Sequence, residues 1–308
     1  LVPLNDRYRR QVALLISAVP FVAAERAFAL KGGTAINLFV RDMPRLSVDI
    51  DLTYLPVAPR AESLVAIDAG MKRIAATLRA GLRGVRVNEV VNAREQIVTK
   101  LIVQGSDAQI KIEVTPVLRG CVFEPEERAV SPAVEDAFGF AEMQVVSFSD
   151  LYAGKIMAAL DRQHPRDLFD VRDLLANEGI SDDLRRAFIV YLISHDRPIS
   201  EVLVPRHKDI EQEFAQGFDG MTAEPVAFEE LLQAREELIV AIAGGMPEDH
   251  RAFLLGFKKG EPDWSLLGID GAENLPAVKW KQLNLNKLSS EARNRLVLQL
   301  TEVLERKA

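Results

Sequence analysis

The sequence is short of cysteine, of long apolar runs and of positive charge, and each shortage removes a class of protein. Its single cysteine, Cys121, rules out an internal disulfide framework and a four-cysteine zinc site, which fits a reducing compartment. No stretch approaches the roughly 20 apolar residues that span a bilayer, so no membrane partner is expected. The N-terminus lacks the basic, apolar, small-residue order of a signal peptide, and the expected location is cytoplasmic. A net charge of −7 argues against a surface that tracks nucleic-acid backbone throughout. A local basic groove stays open to it, from Arg7, Arg9 and Arg10, from Arg41 and Arg45, from Arg162 and Arg166, or from Arg206, His207 and Lys208. Each cluster is equally compatible with a solvated helix face. There is no internal repeat, heptad array or low-complexity tract.

What is present is an ordinary globular composition, 308 residues with 48% hydrophobic and 27% charged, enough for one large or two medium domains. The first half mixes element types. Apolar residues at Val12, Leu15, Ile16 and Val19 predict a helix over 5–19 with Asn5 or Asp6 as its cap. A short strand over 28–30 ends at Gly32-Gly33, and a helical pattern resumes over 34–40. A strand follows over 47–53, then an amphipathic helix carrying Leu64, Ile67, Met71, Ile74 and Leu78 and ended by Gly81. Strands are expected over 85–91, 97–103 and 109–115, the last two joined as a hairpin across Gly105-Ser106-Asp107. The proline-rich stretch 116–132 reads as loop, and 143–146 as an edge strand. From Ser149 onward strands disappear. Ser149 or Asp150 caps a helix to about Leu160, Pro165 starts another through Leu175, and 184–194, 228–242 and 289–305 carry helical periodicity. The expected organisation is α+β: a mixed sheet with helices over 1–148, then a mainly α-helical domain over 149–308, the two sharing a cleft.

The chemistry concentrates in Lys31-Gly32-Gly33-Thr34 and, thirteen residues beyond Thr34, Ser47-Val48-Asp49-Ile50-Asp51. Side chains alternate along a strand, so Ser47, Asp49 and Asp51 share one face while Val48, Ile50 and Leu52 share the other. Two close carboxylates repel, and a divalent cation between them relieves the repulsion. Gly32 and Gly33 let backbone N–H groups converge on an anion, a following helix adds its positive dipole end, and the Thr34 hydroxyl is free to donate to a phosphate oxygen. Glu113, on the strand 109–115, is opposite in face to Ile110, Ile112 and Val114. It completes a three-carboxylate cage for Mg²⁺ if that strand neighbours Asp49, or else it pairs with a cross-strand Lys or Arg. Lys155 lies in a small, apolar helix with few local partners; it reaches a triphosphate or pairs with Asp167 in the next helix. Asp167 and Asp170 also suit a helix first turn without any functional role. His164 reads as a surface turn residue.

Gly32 to Leu38 (Gly-Gly-Thr-Ala-x-x-Leu), Arg45 to Leu52 (Arg-x-Ser-x-Asp-Ile-Asp-Leu), the Ile110 to Val114 strand, and Lys155 to Asp170 with its Arg-Asp-x-x-Asp resemble, in that order, the AbiEii/AbiGii nucleotidyltransferase toxins, MenT-type enzymes included. The resemblance covers residues 28 to about 175. It implies a DNA polymerase β-like nucleotidyltransferase fold acting as the toxin of a bacterial toxin–antitoxin or phage-defence pair. It further implies that Gly33 and Thr34 bind an NTP, that Asp49 and Asp51 hold Mg²⁺, that Lys155 is the family lysine, and that Asp167 or Asp170 is its late acid. Ser47 is similar to a serine that a kinase-like antitoxin phosphorylates in some members. The implied reaction is transfer of NMP to the 3′ end of tRNA, with a cognate antitoxin as protein partner. Alternatives are a small-molecule or protein acceptor, or nucleotide binding without turnover.

Overall fold

The computed structural model describes residues 6–305. The described chain divides into two units by its contacts: one runs to Ser147 and takes in Gly220–Pro225, the other is Phe148–Asp219 with Val226 onward.

The first unit is built on a seven-stranded mixed sheet in the order β3-β4-β5-β2-β1-β7-β6. Its strands are β1 (Phe28–Lys31), β2 (Asp49–Tyr54), β3 (Arg86–Val91), β4 (Val98–Gln104), β5 (Gln109–Arg119), β6 (Glu126–Ala129) and β7 (Glu142–Val145). Helices α1 (Asp6–Ala23), α2 (Gly32–Thr34), α3 (Arg60–Gly81) and α4 (Pro132–Phe138) accompany them, and α2 runs straight into a π-helical turn, Ala35–Val40. Alternation decides the faces. Leu30, Leu52, Val114 and, one row away, Ile50, Ile112 and Leu101 stand side by side in register and are buried. Val12, Leu15, Ile16 and Val19 of α1 and Ile67, Met71, Ile74 and Leu78 of α3 are buried in the same core. Each such side chain contributes about 1.5–3 kcal/mol on leaving water.

Three expectations for this unit need correction. The stretch 116–132 is only in part a loop: β5 continues to Arg119, β6 takes Glu126–Ala129 and α4 starts at Pro132, which leaves 120–125 and 130–131 irregular. A register shift between Leu52 and Tyr54, whose partners are Val114 and Arg119, bulges β5 around Pro116, so that the proline needs no ladder bond. The strand at 142–145 is interior, since β7 lies between β1 and β6. Helix α1 passes Pro20 to reach Ala23, burying Val22 on the way. Of the two proposed caps for it, Asn5 lies outside the described residues.

The second unit is helical: α5 (Phe148–Arg162), α6 (Pro165–Asn177), α7 (Asp182–Ser194), α8 (Ile199–Leu203), α9 (Glu211–Gly217), α10 (Phe228–Ile239), α11 (Glu248–Lys259), α12 (Pro276–Asn286) and α13 (Ser290–Glu305). Ser149 and Asp150 are inside α5, which begins at Phe148, instead of preceding it; Asp150 is buried and accepts a 3.2 Å hydrogen bond from the Tyr191 hydroxyl. His164 is the cap of α6, its Nδ1 accepting from the Arg166 amide at 3.2 Å.

Candidate active site

In the first unit the polar face of the sheet is assembled by register. Lys31 of β1 faces Asp51 of the antiparallel β2, Asp51 faces Glu113 of the parallel β5, and Glu113 faces Lys100 of β4. One row along, Asp49 faces Lys111. Paired residues point to the same side of a sheet, so all six side chains leave one face. Glu113 is therefore brought beside Asp51, as the three-carboxylate expectation required. Its carboxylate also pairs with Lys100 at 3.2 Å, and Asp49 pairs with Lys111 at 3.0 Å. Among the described residues no three His, Cys, Asp or Glu side chains close around a point that would hold a metal ion. The closed cage is thus absent, and what stands on this face is an alternation of acids with lysines.

The glycine turn leans on that face. Gly32 has φ +76°, a left-handed conformation that a Cβ would strain, and a Cβ there would lie 2.8 Å from Asp51 Oδ2. A Cβ on Gly33 would come within 2.9 Å of the Arg45 guanidinium and 3.0 Å of Ser47 Oγ. Both glycines are needed because the backbone itself touches functional groups. Asn37 braces the turn by donating Nδ2–H to the Gly33 carbonyl at 2.9 Å.

Thr34 behaves differently from expectation. Its hydroxyl is buried and donates to the Asp49 carbonyl. Its Oγ1 also lies 3.0 Å from Ser47 Oγ. A hydroxyl has one proton, so Ser47 is the donor in that contact, and the order is Ser47 to Thr34 to the Asp49 backbone. The side chain expected to meet phosphate instead fastens the turn to β2; only the backbone of Thr34 is left for an anion.

Arg45 and Lys31 were not singled out individually from sequence. Arg45 is buried, donates to the Leu46 carbonyl at 2.9 Å, and is held by a backbone bridge to Thr222. The flanking bonds Leu46 N–H to Met221 O at 3.0 Å and Ala223 N–H to Pro44 O at 2.8 Å fix the segment that leads through Ser47 into β2. A segment some 180 residues downstream thus shapes the turn, a contact invisible to local pattern. Lys31 announces itself only as the residue before the glycines. Burial lowers its pKa from the ordinary lysine value, against the pull of Asp51, Cys121 and Glu113. The Lys111 pKa is raised, chiefly by its hydrogen bond to Asp49.

In the second unit Lys155, Asp167 and Asp170 come together. The Lys155 ammonium is 2.9 Å from a carboxylate oxygen of each aspartate, and the three side chains are 7%, 3% and 1% exposed. Arg162 adds a contact to Asp167 at 2.9 Å. Of the two expectations for Lys155, pairing across the helix-turn-helix is met, and by both acids instead of one.

The family model described as "Nucleotidyl transferase AbiEii toxin, Type IV TA system" matches residues 14–281. A sequence search of curated proteins returns no match. Among solved structures, the chain is similar to MenT4, a nucleotidyltransferase toxin from Mycobacterium tuberculosis H37Rv, at 13% identity and a TM-score of 0.60, covering 96% of this chain and 93% of that one. At that identity the likeness concerns the fold.

Proposed function

We propose that this chain, which belongs to the AbiEii nucleotidyltransferase toxin family of type IV toxin–antitoxin systems, transfers a nucleoside monophosphate from an NTP to the 3′ end of tRNA and so blocks translation in the cytoplasm. Membership makes it a nucleotidyltransferase and the toxin half of a pair with a cognate antitoxin; the acceptor, the metal and the residue roles are our addition. The observation that carries the reading is Asp49 and Asp51 on one face of β2 with the Gly32 backbone packed against the Asp51 carboxylate.

The donor set suits magnesium, which is held by one or two carboxylates, substrate phosphates and water. Asp49 and Asp51 would hold it, with Glu113 alongside. The Lys111 and Lys100 pairs that these acids make are partly exposed and weak enough to yield. When bound, Mg²⁺ would offset triphosphate charge and lower the pKa of the attacking hydroxyl. The chain's own part is placement. Gly32, Gly33 and Thr34 would meet the triphosphate through their amides, while Ser47 and Thr34 fix the turn against β2 and Arg45 adds positive charge beside it. Lys155 is assigned the part of the family lysine, its ammonium held in place by Asp167 and Asp170 within the helical unit. We assign the catalytic part to 1–148 and the helical domain to 149–308.

The test is incubation of the protein with tRNA and each of the four NTPs in turn, followed by sequencing of RNA 3′ ends. Nucleotides added only with Mg²⁺ present support the reading. Unchanged ends, or label that appears on protein or small molecules alone, overturn it.

A further inference from the structure

The helical unit carries a cavity of about 170 Å³, largely apolar and edged by cations, between α7, the turn before α8, the end of α11 and α12. Arg197, Lys258, Lys281 and Asn284 line its polar side, and Phe257 and Leu285 its apolar side. The charges do not balance. Arg197 is met by Asp161 at 2.8 Å and by Glu201 at 3.4 Å. Among the described residues Lys281 pairs with Asp196 alone, at 3.8 Å and with a side chain 98% exposed, a pairing worth little in water. No carboxylate among the described residues pairs with Lys258, and the Lys281 ammonium acts on it. Burial lowers the pKa of both lysines, and in Lys258 the neighbouring ammonium lowers it further. Two partly buried ammonium groups that line one cavity, Lys258 with no paired carboxylate among the described residues and Lys281 with a long, exposed pairing to Asp196, form a site that an anion would relieve.

The surface around the cavity extends the same character. Between Glu273 and Glu291 the sequence has no acid, while Lys279, Lys281 and Lys287 flank Trp280. Trp280 is 55% exposed, and Lys287 Nζ lies 5.9 Å from the centre of its ring. Lys259 adds a further exposed ammonium next to Lys258. In a chain of net charge −7 such a stretch is a local exception. Clustered ammonium groups with an exposed aromatic face match RNA, whose phosphates take the charge and whose unpaired bases stack.

We propose that Lys258 and Lys281, with the acid-free face of α12, bind the phosphate backbone of the RNA acceptor. The proposal rests on the tRNA reading above and adds a place where RNA is held within the helical unit.

The test is the double charge reversal Lys258→Glu with Lys281→Glu in the full chain, beside Lys258→Gln with Lys281→Gln, both checked for an unchanged melting profile. If the reversal does not fold, the glutamine pair carries the test. Labelled tRNA binding is measured over a salt series and separately from transfer kinetics. Expected are at least about a tenfold weaker tRNA affinity, a rise in KM for tRNA but not for NTP, and a salt slope reduced by about 0.7–0.9 for each phosphate that is no longer neutralised. Unchanged affinity and slope overturn the site, as does a wild-type protein that does not bind tRNA. Loss of NTP or pyrophosphate binding in place of tRNA binding also overturns it, by assigning the lysines to the nucleotide. Variants that lose tRNA binding in a protein whose wild type transfers nothing uphold the site and sink the transfer reading alone.

Discussion

The two acidic clusters of this chain use the same chemistry to opposite ends. On the polar face of the first unit, Asp49 and Lys111 are about two-fifths exposed and pair at 3.0 Å. In the second unit, Lys155 sits between Asp167 and Asp170, all nearly out of water. An exposed pair is worth under about 1 kcal/mol and exchanges readily for other partners. A buried one holds its geometry because removing one member strands a charge in low dielectric. The ion pairs of the sheet face are therefore exchangeable, and the helical cluster is a fixed arrangement of charge.

The sharpest way to break this comparison is to delete one member of each cluster. Asp49→Ala is expected to reduce nucleotide transfer by at least about a hundredfold, as loss of a charge-stabilising group does, and to abolish growth inhibition. Its urea midpoint should stay close to wild type, because the Lys111 pair contributes so little. Unaltered toxicity would remove Asp49 from the site. Lys155→Met should instead destabilise the helical unit by about 3–5 kcal/mol, the penalty of leaving buried carboxylates unpaired, measured as a shifted denaturation midpoint. Equal stability losses in the two variants would erase the distinction. Between these in kind is Gly32→Ala, which forces a Cβ toward Asp51 Oδ2 at a φ of +76°. It should destabilise the first unit by about 1–2 kcal/mol and lower transfer by about tenfold through displacement of Asp51, a coupling that parallel assays of stability and activity would reveal.

Much of this was legible from the sequence, for a physical reason. The placement of Asp49 and Asp51 on one face, the burial of Ile110, Ile112 and Val114, and the position of the glycine turn follow from strand alternation and local conformational preference, which act over a few residues. What escaped was non-local. Interior placement of β7 depends on its pairing with β1 more than a hundred residues earlier. The persistence of β5 past Pro116 depends on a bulge against β2. Arg45 owes its burial to residues near 222, and Thr34 spends its hydroxyl on a carbonyl that no motif mentions. In the helical half, Lys155 could be seen as a cation without nearby partners, yet only folding brings it two acids at once.

The smallest expected effect separates the two lysines that flank the sheet acids. Lys31 has a lowered pKa in the folded protein, caused first by burial, so the unfolded chain holds its proton more tightly than the native one. Between that lowered value and the ordinary 10.5, the unfolded state binds more protons, and this lysine makes stability rise with pH. Lys111 acts in the other direction: its raised pKa gives stability that is complete below 10.5 and is lost as pH climbs through the folded value. Lys31→Met should therefore flatten the alkaline rise in denaturation midpoint, while Lys111→Met should remove an alkaline fall. Denaturation series across the alkaline range for the two variants decide the matter, and matching slopes would mean that β1 and β5 present their lysines to the acids in equivalent surroundings.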